Sequence, residues 1–231
     1  MDYLKENLSD IEIRIQNACD KAGRSRDEVQ LIAVSKTVEA DVMNASIDAG
    51  VTDLGESKVQ EIKRKYDDVK DANWHLIGHL QTNKVKYIID KVDLIHSVDS
   101  LKLAEAISKK AEVHNKNMSI LLQVDMAKET SKFGMASEDV MSLIENILML
   151  PNLIVEGLMF IAPFAADPEE VRIYFKNMKR LFDEIQESIT HEQLKMKHLS
   201  MGMTNDFEVA IEEGATLLRV GTGVYGKRDY T

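Results

Sequence analysis

The sequence predicts a single (β/α)8 TIM barrel with one extra helix ahead of its first strand. Eight short apolar runs alternate with segments that carry helix signals, which is typical of a parallel sheet covered by helices. The length, 231 residues, suits eight such units. The first run, 31–35, shows no polar alternation, as expected of a strand buried on both faces. An open, doubly wound parallel sheet is the alternative, because periodicity does not reveal closure.

The order of the elements follows from local signals. Residues 3–22 place apolar side chains at helical spacing, and Gly23 follows at the position of a helix stop, which predicts the extra helix. Apolar and β-branched runs then predict eight strands, at 31–35, 51–55, 74–78, 92–97, 118–124, 154–161, 197–201 and 216–220.

The segments between the strands are predicted to be helices. Thr37 is expected to be the N-cap of a helix that Gly50 closes. Asp167 and Pro168 are expected to cap and open the longest helix. The predicted helices are 38–49, 57–68, 80–90, 100–115, 137–149, 168–190 and 204–213. No linker, repeat or low-complexity segment interrupts the pattern, so residues 1–231 are expected to form one domain.

Composition narrows the class of partner. The 29 basic and 39 acidic residues give a net charge of −10, and no basic block is long enough to bind nucleic acid or an anionic membrane. Cys19 is the single cysteine, so no intrachain disulfide can form, and a reducing, cytoplasmic setting is expected. The N-terminus lacks a signal-peptide pattern, and no apolar run is long enough to span a membrane.

Lys36 is the first candidate site residue. It follows the predicted strand 31–35, and α/β proteins bind ligands at the carboxyl ends of parallel strands. Burial or a neighbouring positive charge favours the free amine of a lysine, which can attack an aldehyde. An ordinary solvated lysine at a strand end is the alternative.

A second candidate region follows the last two predicted strands, where barrel enzymes often bind phosphate. One exit reads Ser200-Met201-Gly202-Met203-Thr204, and the other reads Gly221-Thr222-Gly223. Glycines let backbone N–H groups approach an anion closely, and hydroxyls add donors, although each glycine alone also suits a simple turn. Because the eighth strand neighbours the first in a closed barrel, a ligand with an aldehyde and a phosphate would contact both regions.

Arg219 lies two residues before Gly221, on the same face of the eighth strand. Its guanidinium could donate to a ring nitrogen at the barrel mouth and keep that nitrogen unprotonated. An unprotonated pyridine is a weak electron sink, so carbanion chemistry would be poorly supported. The alternative is an interior arginine paired with Glu56 or Asp125.

His75 and His79 are spaced four residues apart, but across a strand end, and no acid completes a metal-ligand set. We therefore expect structural histidines and no metal site. Lys84 and Lys132 are expected to be solvated, although both are candidates for secondary amines near the barrel mouth.

Six segments of the chain match a known family in order over nearly the whole length. They are LIAVSKT (31–37), GESKVQE (55–61), WHLIGHLQTNK (74–84), SKFGM (131–135), GLMFI (157–161) and LSMGMTNDFEVAIEEGATLLRVGTGVYGKRD (199–229). They resemble the pyridoxal phosphate homeostasis protein family, the YggS/PROSC and YlmE-like group, and the last segment is the most specific. One position departs from the family pattern: Ser57 stands where the family usually has asparagine.

This resemblance implies a barrel of the alanine racemase N-terminal domain type that binds pyridoxal 5′-phosphate (PLP) as a Schiff base. By position, Lys36 matches the Schiff-base lysine and Arg219 the partner of the ring nitrogen. The resemblance implies a phosphate cradle of Ser200, Met201, Gly221, Thr222 and Gly223. It implies a carrier and regulator of vitamin B6 pools, with no catalytic residue assigned. The shorter Ser57 affects a contact that the asparagine would make to the ring.

Three functions are weighed. A carrier would hold PLP on Lys36 and release it to PLP-dependent acceptor enzymes. A racemase needs bases on both faces of the substrate carbon, and in racemases of this fold the opposing tyrosine comes from a C-terminal β domain that this sequence is not expected to contain. A lysine-dependent aldolase would lack an acid–base partner beside the first strand. We therefore expect a non-catalytic, cytoplasmic, monomeric PLP carrier.

Overall fold

Eight parallel strands form a closed barrel in which β8 pairs with β1. The computed structural model describes residues 2–128 and 133–226. The strands are β1 (Gln30–Val34), β2 (Asp53–Glu56), β3 (Asn73–Leu76), β4 (Leu94–Val98), β5 (Met118–Gln123), β6 (Leu153–Met159), β7 (Leu194–Ser200) and β8 (Leu217–Val220). All eight predicted strands are present, with bounds within three residues of the prediction. Closure confirms the predicted barrel over the open sheet.

Helices cover the outside of the barrel. They are α1 (Asp2–Ala22), α2 (Ala40–Asp48), α3 (Val59–Lys65), α4 (Leu101–Val113), α5 (Val140–Ile147), α6 (Arg172–Ser188), α7 (Phe207–Glu212) and α8 (Thr222–Tyr225). The extra helix α1 packs against α7 and α8, next to the seam where β8 meets β1. No helix in the described ranges has the length and apolar character that crossing a membrane requires.

Two predicted helix features are wrong. Thr37 is not an N-cap, because its φ is +64°, whereas an N-cap residue needs extended backbone. The N–H of Val38 donates to the Ser35 carbonyl (2.9 Å), so Lys36 and Thr37 form a tight turn, and α2 begins only after Glu39. The predicted helix 80–90 is a 3₁₀ helix, Thr82–Tyr87.

Two other predicted helices begin later than expected. Asp167 does accept a hydrogen bond from the Glu169 N–H (2.9 Å), as predicted for a cap, but the turn that it starts is a 3₁₀ helix, Pro168–Val171. The α-helix α6 follows that turn. After β7 the chain forms a loop instead of the predicted helix start at 204, and α7 begins at Phe207.

The core has two layers, as a barrel covered by helices requires. A small apolar cluster fills the barrel interior: Ile32, Leu94, Leu121, Met159 and Leu217. A much larger cluster lies between the sheet and the helices. Successive strand residues point to opposite faces, so Ile32 faces the interior while Ala33 faces the helices. Because both faces are buried, the strands read as apolar runs in the sequence.

Candidate functional site

A cavity of about 590 Å³ opens at the carboxyl end of the barrel. Its wall comprises Ser57 after β2 and segments that follow four further strands, together with Val34 and Arg219 from within β1 and β8. The segments are 77–78 after β3, 161–165 after β6, 203–206 after β7 and 221–222 after β8. Its volume lies in the usual range for small-molecule sites.

Lys36 lies beside this cavity, two residues after Val34. Its side chain is partly exposed and is not among the residues that line the wall. Within residues 2–128 and 133–226, its Nζ has no hydrogen bond or ion pair. The lysine therefore follows a wall residue, Val34, by two positions, and its amine has no partner among the described residues.

A buried ion pair fixes the end of β1 that carries Lys36. The Nζ of Lys65, only 1% exposed, lies 2.7 Å from Glu56 Oε1 and 3.0 Å from Glu61 Oε2. It also donates to the Ser35 carbonyl (3.1 Å), and the Ser35 hydroxyl donates to Glu56 Oε1 (3.1 Å). The ion pair thus joins α3, β2 and the residue that precedes Lys36. The second oxygen of Glu56 is buried without a hydrogen bond among the described residues.

Hydroxyl and backbone donors meet where the β7 and β8 loops touch. The Thr222 hydroxyl donates to Thr204 Oγ1 (3.2 Å), which also accepts from the Gly223 N–H (3.4 Å). Gly202 turns the chain after β7 with φ +91°, and a Cβ there would lie 2.7 Å from that of Ala210. Gly221, Thr222 and Thr204 line the cavity, and Gly223 lies immediately beside it.

Arg219 brings a buried cation to the cavity wall. Its Nη1 donates to Ser200 Oγ (2.5 Å) and its Nη2 donates to the Phe160 carbonyl (2.7 Å). Burial lowers the pKa of Arg219 to about 10, so it remains a cation at neutral pH. The expected alternative, a pair with Glu56, is wrong, because Glu56 binds Lys65. Arg219 therefore has neutral acceptors in contact and retains N–H groups for a ligand.

Ser200 and Met201 lie deeper than the sequence suggests. Both are fully buried and neither lines the cavity. The Ser200 hydroxyl contacts Arg219 and, at 3.0 Å, the Nδ1 atom of His96. Among the predicted site residues, the structure therefore places Arg219, Gly221 and Thr222 on the wall, and places Lys36, Ser200, Met201 and Gly223 around it.

Two further polar residues line the cavity. Asp206 accepts a hydrogen bond from the Met203 N–H (2.6 Å), and burial raises the pKa of its carboxyl group. Ser57, which stands in place of the family's asparagine, lines the wall opposite. The exit of β3 packs directly on it, because a Cβ at Gly78 would lie 2.2 Å from the Ser57 carbonyl oxygen. The ring contact expected at position 57 stays a prediction.

The two candidate histidines have different surroundings. His75 is buried, and its ring nitrogens contact Asp53 Oδ1 (3.0 Å) and His96 Nε2 (3.0 Å). His79 is exposed and stacks on Phe133, with ring centroids 3.9 Å apart. No metal-binding cluster of His, Cys, Asp or Glu occurs in the described part of the chain. Lys132 lies outside the described residues.

The donor set fits a small aldehyde that carries a phosphate. A buried guanidinium lines the wall, hydroxyl and backbone donors cluster at the β7 and β8 loops, and Lys36 supplies a primary amine two residues after the wall residue Val34. An amine reacts reversibly with an aldehyde, a guanidinium donates to a ring nitrogen, and hydroxyls with glycine N–H groups bind phosphate oxygens.

Comparison with known proteins agrees with this chemistry. The family described as alanine racemase, N-terminal domain, matches residues 7–229. A pyridoxal phosphate homeostasis protein of Aquifex aeolicus is 45% identical over 227 residues, which cover 97% of this chain and 98% of the relative. Its counterpart in Pseudomonas aeruginosa is 38% identical and covers 100% of this chain and 98% of the relative. The chain belongs to the pyridoxal phosphate homeostasis protein family.

Solved structures of other proteins also resemble this chain. PipY of Synechococcus elongatus, solved with PLP bound, is 33% identical with a TM-score of 0.83, and the match covers 96% of this chain and 100% of PipY. Alanine racemase of Clostridium difficile has a TM-score of 0.76 at 16% identity, and the match covers 99% of this chain and 60% of the racemase. The likeness to the racemase therefore concerns the fold alone.

Sequence reasoning missed three residues of this family member's site. Thr204 was seen only as part of a loop, although its hydroxyl is the signal that should have marked it. His96 stands out as a polar residue in an apolar strand, which indicates an interior polar contact. Lys65 gave no signal, because it lies in a run of charged residues that resembles a solvated helix face.

Proposed function

We propose that this chain binds PLP covalently through Lys36 and acts in intracellular PLP homeostasis as a carrier without catalysis of its own. The observation that supports this most is the placement of a buried guanidinium and paired threonine hydroxyls on the wall of one cavity, which Val34, two residues before Lys36, also lines. Membership of the homeostasis family and the PLP-bound structure of PipY support the choice of ligand.

Each residue has a definite role in the proposal. PLP supplies an aldehyde that condenses reversibly with an amine. Lys36 Nζ is that amine, and Arg219 donates an N–H to the ring nitrogen. Hydroxyls of Thr222 and Thr204 bind the phosphate, with backbone N–H groups around Gly221 adding donors. The backbone of the predicted cradle residues Met201 and Gly223 supports this loop, as does Ser200 from beneath.

The absence of catalysis is proposed from the wall chemistry. Racemisation requires two bases on opposite faces of one carbon. Among the described residues that line the cavity, the titratable groups are Asp206 and Arg219. Asp206 is engaged by the Met203 N–H, and Arg219 remains a cation. A second base opposite Lys36 is therefore not supplied by the described wall.

The first experiment tests the covalent link. Purified protein is mixed with PLP, reduced with borohydride and digested, and the modified peptide is identified by mass spectrometry. We expect the adduct on Lys36 and its loss in Lys36→Ala. Lys58→Ala, which removes an exposed lysine at the start of α3, serves as the matched control and should label normally. Labelling spread over surface lysines in both variants would overturn the proposal.

A second experiment separates the carrier from the racemase. The PLP-loaded protein is incubated with single L- or D-amino acids, and the enantiomer ratio is followed by chiral chromatography. We expect rates no higher than those of free PLP, together with transfer of PLP to an apo form of a PLP-dependent enzyme that regains activity. Racemisation well above the free-PLP rate would identify an enzyme instead.

The proposal also places the protein in the cytoplasm as a monomer built from one domain over residues 1–231. The lone cysteine, Cys19, is buried and suits a reducing compartment. Light scattering should return the mass of one chain, and limited proteolysis should leave the barrel intact. A dimer mass would overturn the monomer without affecting the PLP proposal.

A further inference from the structure

A continuous chain of polar side chains crosses the barrel interior beneath the cavity. Asp53 Oδ1 lies 3.0 Å from His75 Nε2, and His75 Nδ1 lies 3.0 Å from His96 Nε2. His96 Nδ1 lies 3.0 Å from Ser200 Oγ, which accepts from Arg219 Nη1 at 2.5 Å. All five residues are buried, and they come from β2, β3, β4, β7 and β8.

The hydrogen bonds in this series of polar side chains run in one direction, from Arg219 to Asp53. A guanidinium only donates, so Ser200 accepts from Arg219 and its single proton is free to point at His96 Nδ1. His96 then carries its proton on Nε2 and donates to His75 Nδ1. His75 likewise carries its proton on Nε2 and donates to Asp53. Every neutral group gives one hydrogen bond and receives one, so no two donors face each other.

The carboxylate at one end, Asp53, and the guanidinium at the other, Arg219, fix this direction, and the neutral His96 ring between them is compatible with it. Burial alone would raise the pKa of Asp53, but hydrogen bonds from His75, Thr52 and Gln30 outweigh it and lower the pKa to about 2. Asp53 is therefore a carboxylate and an acceptor at neutral pH. Burial also holds the pKa of His96 well below its usual range, so that ring is neutral.

We propose that Asp53, His75 and His96 are positioning residues for Arg219, acting through Ser200. The chain holds Ser200 Oγ as an acceptor, and Ser200 together with the Phe160 carbonyl holds the guanidinium plane at the cavity wall. Ser200 donates its single proton to His96, so that proton is not available to a phosphate group. Ser200 therefore anchors Arg219 and does not act as a phosphate donor. This inference deepens the proposed function, on which its cofactor readout rests.

Asp53 and His75 act at a distance from the ligand. Asp53 begins β2 and does not line the cavity, and neither His75 nor His96 lines it. Among the described residues, no carboxylate accepts a hydrogen bond from Arg219 directly. The Asp206 carboxylate, which lines the same cavity, acts on the guanidinium through space. Asp53 is linked to Arg219 only by hydrogen bonds through His75, His96 and Ser200.

The direct test reads the tautomers in the protein without cofactor. Two-bond ¹H–¹⁵N correlation spectra at neutral pH distinguish Nδ1–H from Nε2–H imidazoles, with signals assigned by single substitutions. We expect the ring proton of both His75 and His96 on Nε2. An Nδ1–H proton on either ring would reverse the chain at Ser200 and overturn the inference, whether or not the protein binds PLP.

A matched pair of variants tests the consequence for the site. In His96→Asn the amide oxygen replaces Nδ1 as the acceptor for Ser200, whereas His96→Leu offers no acceptor. We expect PLP to dissociate about tenfold faster from His96→Leu, with a shifted absorption band, and within about twofold of the wild-type rate from His96→Asn. Ser108→Ala, which removes a buried hydroxyl outside the chain, is the control and should change neither.

The possible results of these experiments distinguish a failure of the positioning role from a failure of the proposed function. Equal behaviour of the two His96 variants, or a shift as large in Ser108→Ala, would overturn the positioning role while PLP binding through Lys36 stands. If wild-type protein forms no Lys36-dependent adduct, the proposed function fails, and the tautomer spectra still decide whether the chain is directed. Should His96→Leu not fold, the comparison of His96→Asn with the wild type and the spectra remain decisive.

Discussion

Two cations are buried at the carboxyl end of this barrel, and they are treated in opposite ways. Lys65 contacts two carboxylates, Glu56 and Glu61, and donates to the Ser35 carbonyl. Arg219 contacts only neutral acceptors among the described residues, Ser200 Oγ and a backbone carbonyl. A cation neutralised by carboxylates has little field left for a ligand, whereas one held by neutral groups keeps it. The comparison separates a structural cation from a binding cation.

The largest predicted effect is on stability and concerns Lys65, the cation that carboxylates neutralise. Lys65→Met leaves Glu56 buried without its partner, so the free energy of unfolding should fall by about 3 to 5 kcal/mol. Urea denaturation measures it. Lys70→Met, which removes an exposed lysine paired with an exposed Asp48, is the control and should cost less than about 0.5 kcal/mol. A loss no larger than the control's would contradict the comparison.

Arg219, the cation held by neutral groups, should show the reverse pattern, with a small effect on stability and a large effect on affinity for PLP. Arg219→Met relieves the cost of burying a cation but leaves two acceptors unpaired, so the free energy of unfolding without PLP should change by less than about 2 kcal/mol. Affinity for PLP should fall by about 10- to 100-fold, because the ring nitrogen loses its donor. Titration of the protein with PLP measures it. A stability loss matching that of Lys65→Met with unchanged affinity would exchange the two roles.

A pH series sharpens the comparison by testing whether Asp53 is the charged end of the hydrogen-bonded series that reaches Arg219. The pKa of Asp53 is about 2 in the folded protein and 3.8 in its reference state, so its stabilisation is present above pH 4 and is lost as pH falls toward 2. The contribution is about 2 kcal/mol. The gap in unfolding free energy between wild type and Asp53→Asn should therefore narrow between pH 4 and 2. A constant gap across that window would show that Asp53 is not the charged end.

The smallest predicted effect concerns the threonine hydroxyls at the β7 and β8 loops, which line the same cavity as Arg219. Thr204→Val keeps the shape but removes the oxygen that contacts Thr222 and Gly223, so PLP affinity should fall about five- to tenfold. Affinity for pyridoxal, which lacks the phosphate, should not change. Thr216→Val, which removes a hydroxyl outside the cavity wall, is the control. Equal losses for PLP and pyridoxal would contradict a phosphate role.

The strands were predictable because burial on both faces leaves a local signature, as in β1 and β5. The helix predicted at 80–90 was not, because the apolar spacing that buries Val85, Ile88 and Ile89 suits a 3₁₀ helix as well as an α-helix. Thr37 was wrongly predicted to be a cap because its left-handed conformation belongs to a turn that the hydrogen bond from the Val38 N–H to the Ser35 carbonyl closes. No single residue in the sequence indicates that turn.

The cavity wall was predictable to the same extent. Arg219 and Thr222, which line it, follow from the rule that parallel strands present their carboxyl ends at one edge, and the role of Lys36 stays a prediction. The partners of Ser200 do not, because His96 reaches it from β4 across the barrel. Lys65 is hidden for the same reason, since only the folded chain brings its ammonium group to Glu56.

The pairing of β8 with β1 has a consequence for when, during synthesis of the chain, the cavity wall becomes complete. Lys36 follows the first strand to be synthesised, and Arg219 lies in the last, which pairs with it. A nascent polypeptide emerging from the ribosome holds the amine long before it holds the guanidinium. On the proposed function, the full set of contacts to PLP is therefore complete only after β8 has been synthesised and has paired with β1.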